Sequence, residues 1–285
     1  MKLLLALVLL LPLAAYGAAP DATVRVMTFN LRYDTPNDGP NAWPHRKDLA
    51  ASMIRLHRAD LVGVQEALRH QLDDLTQRLP GYAWVGVGRA DGREGGEYSA
   101  ILYRTDRFEL LDSGTFWLSE TPAVPGSKSW DAAIERIATW ARFTDRETGK
   151  TFFHFNTHFD HIGAEARAES AKLILQRIAD IAGARPVVLT GDFNATDASE
   201  PYRVLTGAAP GGPLALRDAL HASEHGHHGP TSTWNGFEAV QPGQRIDYVF
   251  TSEGVRVRQH AALIDTWDGR FPSDHLPVLA EIVVP

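Results

Sequence analysis

Short apolar runs alternate with amphipathic stretches along most of this chain. Runs rich in β-branched residues predict buried strands at residues 24–30, 60–65 and 186–190. Further strands are predicted over residues 98–104, 108–118, 137–144, 151–158, 246–251 and 277–284. Strands are therefore expected from one end of the chain to the other.

Helices are predicted between these strands. Apolar residues recur at helical spacing over residues 49–56, and leucines follow the same rhythm over residues 68–79, where Pro80 ends the helix. A second long helix is predicted over residues 164–181. Strands and helices alternate in both halves, and no linker or low-complexity stretch divides them. We therefore expect mixed α/β layering in a single domain over residues 20–285.

Residues 1–19 have the layout of a secretory signal peptide. Lys2 precedes an apolar run from Leu3 to Leu13, and small residues follow as far as Ala19. The run is too short for a helix that spans a membrane, although retention as an N-terminal anchor is an alternative. We expect cleavage, export to the periplasm or the cell exterior, and no stable membrane insertion afterwards.

The composition narrows the classes of partner. The formal net charge is −7, and the chain has no cysteine. Proteins that bind long duplex DNA without sequence preference usually carry an excess of positive charge, so the acidic balance disfavours that partner. Without cysteine the chain forms no disulfide and cannot be lipid-modified at a cysteine.

Polar side chains stand at the ends of several predicted strands. Asn30 closes the first strand, and Glu66 follows the second. Four later segments are similarly polar, namely Asn-Thr-His at 156–158, Gly-Asp-Phe-Asn at 191–194, Arg-Ile-Asp-Tyr at 245–248 and Ser-Asp-His at 273–275. Functional residues concentrate in loops and at strand ends that a rigid scaffold positions. We interpret the six segments as one dispersed active site.

The order and spacing of these segments resemble those of the endonuclease/exonuclease/phosphatase superfamily. That superfamily includes deoxyribonuclease I, abasic-site endonucleases, bacterial sphingomyelinases, inositol polyphosphate 5-phosphatases and mRNA deadenylases. The resemblance extends from about Val24 to Pro285 and implies a four-layer α/β/β/α sandwich of two packed mixed sheets flanked by helices. Residues 116–122 and 156–161 are most similar to a group of secreted bacterial proteins akin to the deadenylase branch.

The resemblance implies hydrolysis of a phosphoester with the help of Mg²⁺, for which Mn²⁺ is the expected substitute. Magnesium sites usually use one or two carboxylates and keep several waters. Glu66 is the expected carboxylate ligand, with Asn30 beside it and Asp274 in the same metal shell. A strand-end cap is the alternative role for Asn30.

Five further residues receive catalytic roles from the resemblance. Asp192 is expected to orient or deprotonate the attacking water, and Asn194 to donate a hydrogen bond to a phosphoryl oxygen. His275 would hold the phosphoryl group or act as acid or base, while Asp247 fixes its tautomer. His158 would face the phosphate from the other half of the site.

Several assignments leave a structural alternative open. His158 also fits a buried, hydrogen-bonded histidine, and Asp247 fits an ion-pair partner of Arg245. Histidines at 221, 225, 227 and 228 suggest a transition-metal site, but the Gly- and Ser-containing surroundings favour a surface loop. Arg32, Tyr98 and Arg136 are expected to contact the substrate, with a solvated or structural role as the alternative for each. Asp160 and His161 extend the His158 motif and are expected to form a second metal or substrate contact, with a structural role as the alternative.

These features predict a secreted, monomeric, Mg²⁺-dependent phosphoesterase. The favoured substrate is single-stranded nucleic acid, cleaved as by a 3′-exonuclease, because the resemblance points to the deadenylase branch. A phospholipid, sphingomyelin or inositol-phosphate hydrolase is the alternative, and a binding module without catalysis is the remote one. Fold alone does not choose among them.

Overall fold

The computed structural model describes residues 22–285, so the predicted signal peptide at residues 1–19 lies outside the described residues. Strands of this part of the chain are, in order, β1 Val24–Asn30, β2 Leu61–Gln65, β3 Tyr82–Val85, β4 Ile101–Arg104, β5 Phe108–Trp117, β6 Ile137–Asp145, β7 Thr151–His158, β8 Val187–Asp192, β9 Arg217–Asp218, β10 His227–His228, β11 Asp247–Thr251, β12 Arg256–Ala262 and β13 Val278–Val283. The helices are α1 Lys47–Leu56, α2 Arg69–Arg78, α3 Ala164–Ala182, α4 Glu200–Leu205 and α5 Ala219–Ala222, and two short 3-10 turns cover Pro36–Asn41 and Trp43–His45.

The strands form two mixed sheets. The first sheet has the order β10-β12-β13-β1-β2-β4-β3, and the second has the order β5-β6-β7-β8-β11-β9. Strand β1 runs parallel to β2 and antiparallel to β13. In the second sheet, β7 runs parallel to β8, and β11 runs antiparallel to β8.

Three apolar layers hold the sheets and helices together. Helices α1 and α2 cover the outer face of the first sheet, where Met53 and Leu72 pack with Phe29. Helices α3 and α4 cover the second sheet in the same way. Between the sheets, aliphatic side chains of β1 and β13 pack with Phe108, Phe143 and others. The predicted four-layer sandwich is confirmed.

A small polar layer lies between the sheets close to their functional edge. A Cβ atom added at Gly63 of β2 would lie 2.1 Å from the hydroxyl of Thr190 and 2.4 Å from the amide oxygen of Asn156. The sheets therefore approach closely at this point, and only glycine fits there. Gln65 donates to the same Asn156 oxygen at 2.7 Å, which ties the two sheets together by hydrogen bonds.

All nine predicted strands and all three predicted helices are present, with ends shifted by a few residues. The pattern missed β3, β12 and the shortest elements. Strand β3 is the edge of the first sheet and each of its residues is only half-buried, so it lacks the apolar run of an inner strand. In β12, exposed Arg256 and Gln259 interrupt the alternation. No helix within residues 22–285 is long and apolar enough to cross a membrane.

Candidate active site

The six polar segments meet at one edge of the sandwich. Four of them line a cavity of about 570 Å³, and Asn30 and Asp247 contact its residues Asp192 and His275. Asn30 ends β1 and Glu66 follows β2, so the parallel pair of strands brings both side chains to this edge. In the second sheet, the register places Asp192 directly opposite both His158 and Asp247. The turn Ser273-Asp274-His275 then adds side chains from the loop before β13.

Asp192 lies at the centre of the site. Its carboxylate accepts hydrogen bonds from the Asn30 amide at 2.9 Å and from the backbone N–H of Asn194 at 2.9 Å. The Nε2 atoms of His158 and His275 lie 3.3 and 3.8 Å from it. Burial, reinforced by the negative charge of Asp247, raises the pKa of Asp192 to about 7. A carboxylate in this state takes up a proton readily near neutral pH.

Asp247 and His275 form a buried carboxylate–imidazole pair. Nδ1 of His275 lies 2.9 Å from an Asp247 oxygen, which also accepts a hydrogen bond from the Thr233 hydroxyl at 2.6 Å. Burial alone would lower the pKa of His275, but the carboxylates of Asp247 and Asp192 outweigh it and raise that pKa well above the usual value. The pair therefore presents Nε2–H of a charged imidazole to the cavity.

His158 is the opposite case. Burial, with the nearby charges of Arg136 and Arg89, lowers the pKa of His158 well below the usual value. Its Nε2 lies 3.0 Å from the amide nitrogen of Asn194, which also donates to the carbonyl of Phe159 at 3.1 Å. Its Nδ1 is buried and has no hydrogen-bond partner. The site thus combines one neutral and one charged imidazole.

The donor groups on the first sheet fit a hard divalent cation. Glu66 and Asp274 both line the cavity, and burial together with the charge of Glu66 raises the pKa of Asp274. Arg32 lies 4.0 Å from Glu66 and 3.9 Å from Asp274, and the positive charges of His275, Arg32 and Arg46 act against the rise in the pKa of Asp274. Oxygen donors of this kind are the ligands that Mg²⁺ and Mn²⁺ prefer.

A second carboxylate also stands close to Glu66. Potential ligand atoms of Glu66, His158 and Asp192 lie within 4.8 Å of one another. Asn30 donates its amide N–H to Glu66 at 3.1 Å, while its oxygen accepts from the backbone of Arg32 at 2.9 Å. In this arrangement Asn30 positions the two carboxylates, and Asp192 joins Glu66 as a possible oxygen donor that the sequence did not suggest.

Three residues of the site have a strained backbone conformation. Arg32, Glu66 and Asn194 adopt left-handed conformations, with φ of 56, 61 and 46°. Non-glycine residues are uncommon in this region, and such outliers cluster where function requires a particular side-chain direction. This backbone conformation directs the three side chains into the cavity. No sequence pattern predicts a left-handed conformation at these positions.

The five predicted substrate contacts separate into two groups. Arg32, Arg136 and His161 line the cavity. Tyr98 instead is buried and donates its hydroxyl to the carbonyl of Arg93 at 3.0 Å. Asp160 is buried and accepts four backbone hydrogen bonds, at 2.7 to 3.3 Å, from the segments around residues 133 and 162. The structure thus places Tyr98 and Asp160 in supporting positions.

The cavity wall also contains residues that the sequence did not single out. Glu97 and Trp234 line the cavity, and Glu97 pairs with Arg89. Burial raises the pKa of Glu97 to about 7. Glu97 ends a Gly- and Arg-rich stretch that resembles an ordinary surface loop. Composition was the only feature of the sequence that marked this stretch, and it does not indicate a site residue.

The structure bears on two further interpretations of the sequence, the Asp247–Arg245 ion pair and the histidine run at residues 221–228. Arg245 pairs with Asp218 at 2.5 Å, so it is not the ion-pair partner of Asp247. In the histidine run, Nδ1 of His227 lies 2.8 Å from Nδ1 of His260, and its Nε2 lies 2.9 Å from the carbonyl of Pro230. No potential metal-binding group within residues 22–285 includes a residue of this run.

Known structures are similar over nearly the whole chain. A Bacteroides vulgatus protein described as an endonuclease/exonuclease/phosphatase is 43% identical, with a TM-score of 0.88, over 93% of this chain and 100% of the other. The mannosyl-6-phosphatase of Bacteroides thetaiotaomicron is 37% identical, with a TM-score of 0.85, over 91% of this chain and 99% of the other.

Curated relatives are more distant and longer. The 3′-5′-exoribonuclease subunit of the CCR4-Not complex from Candida albicans is 23% identical over 84% of this chain and 37% of that protein. The chain spans between 33 and 60% of the length of the first three curated relatives that it matches.

A known protein family matches the part of the chain that contains the whole site. Residues 27–275 match the Endonuclease/Exonuclease/phosphatase family, and this span includes every segment of the dispersed site from Asn30 to His275. The chain therefore belongs to this family, whose members are metal-dependent hydrolases that act on phosphoester bonds.

Proposed function

We propose that this chain is a divalent-metal-dependent phosphomonoesterase that removes a terminal phosphate from a carbohydrate. The shape of the site carries this proposal. The polar residues lie in a cavity of about 570 Å³, which is within the range of about 300–1,000 Å³ for small-molecule sites. The similarity to a mannosyl-6-phosphatase at 37% identity over nearly the full length of both chains supports the same substrate class.

The reaction is a hydrolysis in which one P–O bond forms and one breaks. Water adds to phosphorus, the ester oxygen leaves with its bonding electrons, and the products are the free alcohol and inorganic phosphate. Water loses one proton and the departing oxygen gains one. The protein must therefore accept a proton, supply a proton, and stabilise negative charge on the phosphoryl oxygens.

Asp192 is the proposed proton acceptor and orients the water, since its raised pKa suits transfer near neutrality. Charged His275 holds a phosphoryl oxygen with Nε2–H, and Asp247 maintains its orientation. The side-chain N–H of Asn194 that lies against His158 would donate a hydrogen bond to another phosphoryl oxygen. Neutral His158 forms hydrogen bonds in the site without adding a charge.

A divalent cation would be held by Glu66 and Asp274, with Asn30 beside them. When bound, Mg²⁺ or Mn²⁺ neutralises charge on the phosphoryl group and on the departing oxygen. Arg32, which pairs with Asp38 at 3.0 Å and stands about equally far from Glu66 and Asp274, would border this site.

A substrate panel with Mg²⁺ or Mn²⁺ tests this function. Purified protein and its Asp192→Asn variant are assayed against hexose 6-phosphates, single-stranded RNA and DNA, duplex DNA, sphingomyelin and inositol phosphates. We expect the highest kcat/KM with a hexose phosphate, and loss of that activity in the variant. Turnover of a polynucleotide or a lipid without turnover of any sugar phosphate would refute the proposal.

A nuclease acting on single-stranded nucleic acid is the second candidate. The similarity to the exoribonuclease subunit favours this candidate. The acidic net charge of −7 and the cavity volume of about 570 Å³ disfavour a polynucleotide substrate. We further propose that the protein is exported through residues 1–19 and acts as a monomer. N-terminal sequencing of the secreted protein and its mass in solution test these two points.

A further inference from the structure

The cavity wall next to the phosphate-handling residues contains a fixed ionic pair. The two terminal guanidinium nitrogens of Arg89, Nη1 and Nη2, donate to the Glu97 carboxylate at 2.7 Å, one to each oxygen. The side chains are only 12 and 17% exposed. Because a carboxylate oxygen has more than one acceptor position, each oxygen of Glu97 keeps capacity for another hydrogen bond.

A tight loop between β3 and β4 holds this pair in place. Arg89 donates its backbone N–H to the carbonyl of Glu97 at 3.0 Å, and its own carbonyl accepts from the indole of Trp117 at 2.7 Å. A Cβ atom at Gly88 would lie 2.3 Å from the carbonyl of Gly95, so the loop strands are packed backbone against backbone. The pair is a rigid wall rather than a flexible surface contact.

The acceptor oxygens of Glu97 limit which groups of a substrate this wall can bind. Glu97 lines the cavity together with His158 and Asp192, so the part of the substrate beyond the phosphoryl group comes near it. A second phosphate, or the backbone of a polynucleotide, presents acceptor oxygens and finds no donor in the Glu97 carboxylate. A hydroxyl group instead donates a hydrogen bond, and bonds to charged groups are the stronger ones.

Trp234 supplies an apolar wall in the same cavity. Its side chain is 38% exposed, and its backbone pairs with that of His275 in an antiparallel bridge. A Cβ atom at Gly236 would lie 3.2 Å from the indole ring, so glycine there leaves the ring its space. An exposed indole face anchored beside His275 suits a ligand with an apolar C–H face.

We infer that Glu97, clamped by Arg89, and Trp234 recognise the alcohol half of the substrate, and that this half is a neutral polyol ring without a second phosphate. This inference rests on the proposed function and specifies its substrate class. Glu97 accepts hydrogen bonds from ring hydroxyls, and the indole of Trp234 packs against the ring.

The test compares Glu97→Gln with Glu94→Gln. Glu94 lies in the same loop, is 71% exposed, and pairs with Arg69 at 2.6 Å, so it provides the same chemical change outside the cavity. For each protein, kcat and KM are measured with a hexose 6-phosphate, a hexose 1,6-bisphosphate and phenyl phosphate, which has no hydroxyl. Unfolding temperatures show that the variants are folded.

For Glu97→Gln we expect the ratio of kcat/KM for the hexose 6-phosphate to that for phenyl phosphate to fall about tenfold. The ratio for bisphosphate over monophosphate is expected to rise, because the introduced amide can donate a hydrogen bond to a phosphate oxygen. Glu94→Gln should leave both ratios unchanged. Trp234→Ala should raise KM for the hexose phosphate, and Trp234→Phe should restore most of the loss.

Other outcomes overturn the inference. Equal losses on all three substrates in Glu97→Gln would make Glu97 a supporting residue, and unchanged ratios would remove it from recognition altogether. In either case the proposed function survives if the unmodified protein still hydrolyses the hexose phosphate. Turnover of phenyl phosphate without turnover of any sugar phosphate by the unmodified protein would overturn both.

Discussion

Asn156 and His158 stand two residues apart on β7 and point to the same side of the sheet, yet their surroundings differ completely. Asn156 uses its whole side chain: it donates to the carbonyls of Val64 and Ala100 at 2.9 and 3.0 Å, and it accepts from Gln65 and Thr190 at 2.7 and 2.9 Å. His158 keeps a buried Nδ1 without a partner and faces the cavity. Saturated hydrogen bonding marks structure, whereas unsatisfied, converging polar groups mark a site built for a ligand.

Asp192→Asn should give the largest effect on the catalytic side of this comparison. The amide cannot take the proton of the attacking water, so we expect kcat to fall by at least about a hundredfold. The free energy of unfolding should stay equal or increase, because a buried carboxylate with a raised pKa is costly. Steady-state kinetics and denaturant unfolding measure both, and near-normal kcat would remove Asp192 from its assigned role.

Asn156→Ala should give the opposite result. Two backbone carbonyls and two side-chain donors each lose one buried hydrogen bond, and we expect the free energy of unfolding to fall by about 2–3 kcal/mol. Turnover per folded molecule should change little. His158→Ala, two residues away, should show the reverse split, with lower kcat and a smaller loss of stability. A comparable loss of both properties in the two variants would erase the distinction between the regions.

The sequence pattern indicated a role for His158 in the site, but it could not show that Asn156, in the same segment, is structural. The distinction depends on Val64 and Ala100, which belong to the other sheet and are remote in the chain. Inner strands were predictable because apolar runs record burial on both faces. Glu97 was missed because its burial results from the packing of its loop, which leaves no periodic pattern.

The dispersed site itself was largely predictable as a set of positions. Polar residues that follow buried strands are unusual enough to be recognised, and the strand ends converge because the sheet order requires it. The role of each residue in this set was harder to predict from the sequence. The left-handed backbone at Glu66 and Asn194, and the supporting contacts of Tyr98 and Asp160, arise only from the packed structure.

Asp247→Asn should reveal how the site sustains a charged imidazole. Without the carboxylate, burial acts on His275 with less opposition, and we expect the pKa of His275 to fall and kcat to decrease about tenfold. Nitrogen chemical shifts of the His275 ring, followed against pH by NMR, report its protonation. An unchanged pKa in the variant would show that Asp247 does not control the charge of His275.

His154 lies on the same side of β7 as Asn156, and its effect on stability depends on pH. It lies 2.8 Å from the Thr190 hydroxyl, and burial lowers its pKa from 6.5 to about 3. The unfolded chain therefore binds a proton below about pH 6.5 that the folded protein refuses until about pH 3, and stability should fall as the pH drops through this window. His154→Gln should flatten this dependence in denaturant unfolding at pH 7, 6, 5 and 4. An equal slope in both proteins would contradict it.

Anomalous diffraction from crystals grown with Mn²⁺ and phosphate tests most directly whether the scattered polar residues form one phosphoester site. We predict that Mn²⁺ binds at Glu66 in this cavity, with phosphate beside it on Asn194 and His275. Metal bound elsewhere, or phosphate that contacts neither Asn194 nor His275, would contradict the account.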